Sequence, residues 1–308
     1  IYLQELAALY EGASLQPLRL QHKDYSEWEL SEHYATITRQ QREFWLSLLP
    51  DNLPLLDLPT DYPRPAKSSH RGQGLRLELA PSLAEKLRTA AQQQGYTLYM
   101  VTLAAFGIVL HKYSRQQDLM IGTPAMGRQH PDLQAVTGML VNTLALRLTP
   151  SPDSTLKNYL DQIKQMVIGA VDNQGFLFEE LLNHLNPATD SSRSPVFDVF
   201  FSLVTEELGQ FSLPGTQTTL REFEFPIAKF DLSLTVYERT KGFDITLEYA
   251  TDLFKPETAQ QWLHHYQMVI EQLGNGLLDS AQQKISKQIG ELTLVDHNEQ
   301  HILLNEFN

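Results

Sequence analysis

The chain has 308 residues, 42% of them hydrophobic, enough to bury a large core in one large domain or two lobes. Its 37 acidic against 24 basic residues give a formal net charge of −13, which argues against broad binding to a nucleic-acid backbone or an anionic membrane surface. The absence of cysteine excludes thiol nucleophiles, thiolate metal sites and disulfides, and fits a reducing, cytoplasmic setting.

The first residues, IYLQELAALYEG, place Leu3, Leu6, Leu9 and Tyr10 on one helical face, with Gly12 as a stop. The chain thus starts within a helix, and the natural polypeptide is expected to extend upstream. A long polar helix is predicted from Asp24 to Leu49. It is followed by DNLPLLDLPTDYPRP, whose four prolines make an extended connector. GLRLEL alternates Leu75, Leu77 and Leu79 as a strand, and Ser82 with Glu85 reads as a capping box for a helix ending near Gly95. An apolar helix over 97–113 follows; its run MVTLAAFGIVL falls well short of the ~20 residues that span a bilayer. Strands at 119–122 and 141–148 and helices near 154–171 and 176–185 continue the alternation. VFDVFFSL, TTLREFEF, FDLSLTVYE and FDITLEYA are β-rich, the last two joined by an Arg239–Gly242 turn. A helix over 256–274 closes this part. Residues 275–295 show little periodicity, and Asp296 is placed to cap a short terminal helix. The order of elements predicts a mixed α+β fold, helices on a mixed sheet.

The adjacent His264 and His265 invite a catalytic reading, but Trp262, Leu263, Tyr266, Val269, Ile270 and Leu273 form the apolar stripe of their helix, with His264 opposite and His265 on its flank. A solvated or edge-packed pair is expected. The chain contains no GxxxxGK[ST], GxSxG or HExxH motif, and RGQGLRL opens a strand rather than a nucleotide-binding helix.

Segments in a fixed order carry more information. HKDYSEWE (22–29) with its Tyr25 and Trp28, the helix through REFW, TGMLVNTLALRL (137–148), DNQGFLFEELL (172–182) and SSRSPVFDVFFS (191–202) together resemble the condensation domains of nonribosomal peptide synthetases. HRGQGLRLEL, GYTLYMVTLAAFGIVLHKYSRQQDLMIGTPAMGR and AKFDLSLTV extend the resemblance from residue 1 nearly to the end.

The resemblance implies a chloramphenicol acetyltransferase-like fold of two lobes with a channel between them. Residues 1–65 are then the trailing part of the N-terminal lobe and connector, 66–295 the C-terminal lobe, and 296–308 the start of a linker. It also implies amide formation between a carrier-bound acyl or peptidyl thioester and a carrier-bound aminoacyl amine. No cofactor is expected on the chain itself, since phosphopantetheine belongs to the partner carriers. Donor and acceptor peptidyl carrier domains, an adenylation domain and the N-terminal lobe are the implied partners; nucleic acid and membrane are not.

The family's active histidine lies in an HHxxxDG motif, which this sequence lacks: His264 and His265 are followed by Tyr266, Gln267, Met268, Val269 and Ile270. No catalytic or metal-binding residue is therefore assigned, and the chain alone is expected to be a poor catalyst. Asn142 and Gln174 are the substrate-channel candidates, Asn142 because an amide both donates and accepts; a strand-ending role for it stays open. Asn142→Ala is expected to slow condensation without changing the melting temperature. Leu177 stands where relatives often have proline. Arg147 belongs to the motif set, Arg193 is expected to anchor a loop or pair with a carboxylate, and Lys229 and Asp231 to pair at a strand entrance. GTPAMGRQHPDLQAVTG resembles the loop flooring the channel, and TEELGQFSLPGTQTTLREFEFP the segment bridging the lobes. The alternatives are an epimerising or heterocyclising relative, or a catalytically silent module that recruits carriers or other proteins.

Overall fold

The computed structural model describes residues 1–49, 53–187, 190–205, 213–216, 225–239, 242–278, 287–296, 301 and 305. The helices are α1 (Tyr2–Tyr10), α2 (His22–Glu29), α3 (Glu32–Leu48), α4 (Pro81–Gln93), α5 (Leu98–Ser114), α6 (Leu156–Asp172), α7 (Phe178–Leu185) and α8 (Pro256–Leu278). The strands are β1 (Gly72–Leu79), β2 (Leu119–Ala125), β3 (Asn142–Leu148), β4 (Val199–Val204), β5 (Leu232–Arg239) and β6 (Gly242–Ala250). They form a six-stranded mixed sheet in the order β1-β6-β5-β4-β2-β3, with β4 parallel to β2 and β5 and the other neighbours antiparallel.

The apolar run that is too short for a membrane becomes α5, buried continuously from Met100 to His111 against the sheet and α8. A helix apolar all round has no solvent face to offer, so it takes the centre of the core. No helix among the described residues is long and apolar enough to cross a membrane. On the sheet, alternation decides which element each strand residue meets. In β3, Leu144 and Leu146 join Val167 of α6 around a cavity, whereas Arg147 donates to the Leu48 carbonyl of α3 at 3.1 Å.

Several elements differ from the sequence reading. The single helix expected over 24–49 is two: α2 ends at Glu29, and Ser31 caps α3 by accepting from the Tyr34 amide at 3.2 Å while its hydroxyl donates to the Trp28 carbonyl. A side chain that bonds its own backbone competes with helix continuation, and here it wins. The Ser82–Glu85 capping box is replaced by a start at Pro81, with Ala80 at the cap and no side-chain cap bond; proline at the first helical position loses no needed donor. Gly274 lies within α8 rather than ending it, because a Cβ there would come within 3.3 Å of Leu87: the glycine permits close approach of α8 to α4. The connector is extended as expected, with Leu56 and Leu58 buried against the main core.

Arg239 pairs with Gly242, as a two-residue hairpin requires, and the central residues 240 and 241 lie outside the described set. All of TTLREFEF except Phe225 and most of the expected bridging segment also lie outside it, as do residues 297–300, where the Asp296-capped helix was expected.

Candidate functional site

α2 is held at its start by a capping box: Asp24 Oδ2 accepts from the Gln21 amide at 2.8 Å. This turns Tyr25 and Trp28 toward Tyr34 of α3, with ring centroids 5.6 Å apart for Tyr25–Trp28 and 4.6 Å for Trp28–Tyr34. Tyr25 also packs on a small cluster of Leu133, Val136 and Leu140 in the loop between β2 and β3. That loop is braced from within by Arg128, which donates to the Leu133 carbonyl at 2.5 Å and the Val136 carbonyl at 2.6 Å. Gly138 in TGMLVNT lies against His22: a Cβ at 138 would be 2.0 Å from the imidazole, so the closeness of loop and α2 requires glycine there.

A cavity of about 360 Å³ opens between these elements. Its lining includes four of the sequence candidates, Tyr25, Trp28, Asn142 and Gln174, together with Tyr34, Gln41, His130 and Glu29. Burial and the nearby Glu29 push the Tyr25 phenol up to about 12, and burial pushes Tyr34 up further. Both rings therefore stay protonated at neutral pH and act as donors rather than bases.

The turn Asp172–Phe176 forms one wall, and each of its carbonyls is caught by a side chain from elsewhere. Gln41 donates to Asp172 at 3.3 Å, Trp45 Nε1 to Asn173 at 2.9 Å, and Tyr34 to Gly175 at 2.6 Å. Asn142 Nδ2 donates to both Gln174, at 2.8 Å, and Phe176, at 2.9 Å. Asn142 Oδ1 accepts from the amides of Thr143 at 2.8 Å and Phe178 at 3.1 Å.

Asn142 is 8% exposed and its amide is committed on both ends to backbone. Its role as a direct channel contact is thereby redirected: it fixes the wall that carries Gln174. Gln174 itself points its amide at the Val171 carbonyl, at 2.8 Å. Sequence reasoning missed Tyr34, Gln41 and Trp45 as partners of this turn. Trp45 was visible only as part of REFW; no local pattern says which distant carbonyl an indole will meet.

The remaining candidates lie elsewhere. Arg147 makes a two-pronged pair with Asp118, both bonds 2.8 Å, tying β3 to the turn before β2. Arg193, Lys229 and Asp231 line a second, charged cavity of about 260 Å³. There Arg193 bonds Asp198 and the Leu56 carbonyl. Asp231 takes Arg64 as partner rather than Lys229, because the guanidinium fork of the connector fits both carboxylate oxygens. Asp198, the partner of Arg193, is 4% exposed, its pKa pushed up to about 6 by burial and by Asp231.

His264 is a surface residue 3.2 Å from Asp296, whereas His265 is 4% exposed and bonded through Nδ1 to the Tyr113 hydroxyl at 2.7 Å. His264 is the solvated member of the pair and His265 the edge-packed one, buried on the flank of the α8 stripe against Tyr113. Neither histidine lines the cavities described above. Among the described residues no group of three or more His, Asp or Glu side chains is arranged to hold a metal.

Residues 1–304 match the family model described as Condensation domain. The whole chain is 36% identical to a stretch of bacitracin synthase 3 from Bacillus licheniformis, of which it spans 5%, and 36% identical to one of gramicidin S synthase 2 from Brevibacillus brevis, of which it spans 7%. Over 86% of the chain it is 41% identical to tyrocidine synthase 3 from Brevibacillus parabrevis, spanning 4% of it. The chain thus covers a small part of the length of these relatives.

Among solved structures, the X-domain in complex with OxyB from teicoplanin biosynthesis aligns with a TM-score of 0.81 at 25% identity, covering 96% of this chain and 66% of that one. Holo-AB3403, a four-domain nonribosomal peptide synthetase bound to AMP and glycine, gives 0.73 at 26% identity, covering 85% and 20%. The condensation domain of the monacolin K polyketide synthase MokA gives 0.79 at 19% identity, covering 89% and 65%, a likeness of fold alone. The fold is the chloramphenicol acetyltransferase-like one expected from the sequence.

Proposed function

The chain belongs to the condensation-domain family, and on that premise we propose that it takes part in amide formation between a carrier-bound acyl or peptidyl thioester and a carrier-bound aminoacyl amine. The observation that carries this reading is the interlocking of motifs far apart in sequence around one cavity. The tyrosine and tryptophan of HKDYSEWE, the asparagine of VNT and the turn of DNQGF build the same walls.

In the reaction the amine nitrogen attacks the thioester carbonyl, the carbon–sulfur bond breaks, the carrier thiol leaves and the amine gives up a proton. A thioester is already activated, so holding the two reactants in line supplies much of the acceleration, and a donor to the developing oxyanion adds to it. The residues of this chain would contribute a rigid wall: Asn142, Tyr34 and Trp45 act as positioning residues through the 172–176 turn. The histidine for proton handling is assigned to a first lobe bearing HHxxxDG, with residues 1–65 completing that lobe, 66–295 forming the second and 296–308 opening a linker. Carrier domains bearing phosphopantetheine, a neighbouring adenylation domain and a cytoplasmic setting belong to the same proposal, supported by the synthetases the chain resembles.

The test compares the 308 residues alone with the same residues joined behind a histidine-bearing first lobe. Both receive an acyl-loaded donor carrier and an aminoacyl-loaded acceptor carrier, and carrier-bound amide is quantified by intact-protein mass spectrometry. Only the joined form should give product, and replacing its motif histidine should abolish it. Equal rates from both forms would overturn the assignment of the histidine. A joined form that binds carriers yet never condenses would favour a second reading, recruitment of a partner protein. That reading draws on the likeness to an X-domain solved together with OxyB.

A further inference from the structure

The charged cavity of about 260 Å³ is built where the connector meets the starts of β4 and β5. Because β4 runs parallel to β2, and Asn142 pairs with the last residue of β2, this is the opposite end of the sheet from the first cavity. Asp198 and Asp231 stand directly before the two strands, and the Asp231 amide donates to the Asp198 carbonyl at 2.8 Å. Besides His70, the ionisable lining is Arg64, Arg193 and Lys229 against Asp198, Asp231 and Asp252, a balanced set. Most of these groups are already committed. Arg64 grips Asp231 and the Ser192 carbonyl, Arg193 meets Asp198 Oδ2 and the Leu56 carbonyl, and Asp252 accepts from the Ser69 amide at 3.0 Å and from Arg71 at 3.2 Å. Two are left over. Asp198 Oδ1 is buried without a hydrogen-bond partner among the described residues, on a residue that is 4% exposed. Lys229 is exposed and makes neither a hydrogen bond nor an ion pair with a described residue, acting on Glu248 of β6 only through the longer-range field. We propose that this cavity binds a free α-amino acid with an aliphatic side chain, its ammonium donating to Asp198 and its carboxylate facing Lys229.

Three observations set the occupant's chemistry. A balanced lining that leaves one carboxylate oxygen and one ammonium open matches a molecule carrying both charges, whereas a lone cation or a lone anion would leave one of the two unmet. Burial and the neighbouring Asp231 raise the Asp198 carboxyl despite its bond from Arg193, so its charge is under-compensated and a second cationic donor is favoured there. The walls also include apolar surface from Phe230, Leu253 and Pro195, and the volume holds about nine water-sized groups, the number of non-hydrogen atoms in leucine. This inference goes beyond the amide-forming reading and does not rest on it, since none of the residues placed at the first cavity takes part.

The test is a calorimetric titration of the 308-residue chain at about pH 7.5, where Asp198 is ionised. The probes are L-leucine, 4-methylpentanoate, which lacks the ammonium, 3-methylbutylamine, which lacks the carboxylate, and glycine. Leucine should bind at least about tenfold more tightly than either single-charge analogue, the least that one hydrogen bond to a charged group contributes. Glycine should bind more weakly as well, because it leaves Phe230 and Leu253 uncovered. Lys229→Gln, at an exposed position, should cancel the advantage of leucine over the amine with unchanged melting temperature. Asp198→Asn, which keeps an oxygen for Arg193, should cancel its advantage over 4-methylpentanoate. His264→Gln, outside the cavity, should leave every affinity intact.

No saturable heat with leucine, or a single-charge analogue binding as tightly as leucine, would overturn the proposal. Glycine binding as tightly as leucine would remove the aliphatic side chain from it and overturn it too. So would a preference for leucine that survives Lys229→Gln, a result that decides the matter even where Asp198→Asn fails to fold. The titrations use no carrier and make no bond, so their failure is distinct from a failure to condense, which the carrier assay reads by itself.

Discussion

Trp45 Nε1 donates to the carbonyl of Asn173 at 2.9 Å, and through that bond α3 sets the position of a turn 128 residues further along the chain. The indole is 1% exposed, so its N–H has no water as a substitute partner. With Tyr34 bonding Gly175 one residue beyond the neighbour of Asn173, α3 grips the cavity wall at two points.

Trp45→Phe should lower stability by about 0.5–1.5 kcal/mol, the net worth of one hydrogen bond, while most of the ring packing remains. Urea unfolding followed by far-UV circular dichroism measures this. An unchanged midpoint would show that the turn holds without α3.

Asn142→Ala should destabilise rather than merely disable. It removes donors from the carbonyls of Gln174 and Phe176 and an acceptor from the Phe178 amide; the buried Phe176 carbonyl left without a partner costs about 1–3 kcal/mol by itself. A lowered unfolding midpoint is expected, together with loss of any ligand binding in the first cavity. A variant with an unchanged midpoint that fails to bind would return Asn142 to the role of direct contact.

Asp198 should make stability fall as pH rises through the window between about 4 and about 6. Its folded pKa is raised to about 6 by burial and Asp231, above the ordinary value of ~3.9 for an unfolded aspartate. Below ~4 both states are protonated and the group is neutral in its effect; between ~4 and about 6 the folded state holds more protons, so the unfolding free energy declines with pH. Above about 6 the loss is complete, of the order of 2–3 kcal/mol. The difference in unfolding free energy between the wild type and Asp198→Asn, measured from pH 4 to pH 8, isolates this group from carboxylates whose pKa is lowered. A difference that does not change across the window would contradict it.

His264→Gln and His265→Gln should part company. His264 and Asp296 are both about half exposed, and such pairs are worth roughly 0–1 kcal/mol. His265 is buried against Tyr113, and its loss should cost about 1–3 kcal/mol. Neither should change amide formation by a complete domain at a temperature where both are folded. Thermal melting together with the carrier assay checks both halves, and a large rate loss from a folded variant would place the pair in the chemistry after all.

The sequence by itself determined the class of fold and most of its elements, because periodicity reports which face of a helix or strand is buried. The alternation of Leu75, Leu77 and Leu79 was legible in this way, and α5 from its unbroken apolar run. The ordered motifs point to the family, and Tyr25, Trp28, Asn142 and Gln174, which belong to them, line one cavity. What only the tertiary structure decided was the partner of each polar group. Asp231 chose Arg64 over the nearby Lys229, Asn142 turned its amide to backbone, and His265 found Tyr113 across 152 residues. A side chain's type fixes what it can donate or accept, but its partner depends on which distant segments the packed core brings within about 3 Å.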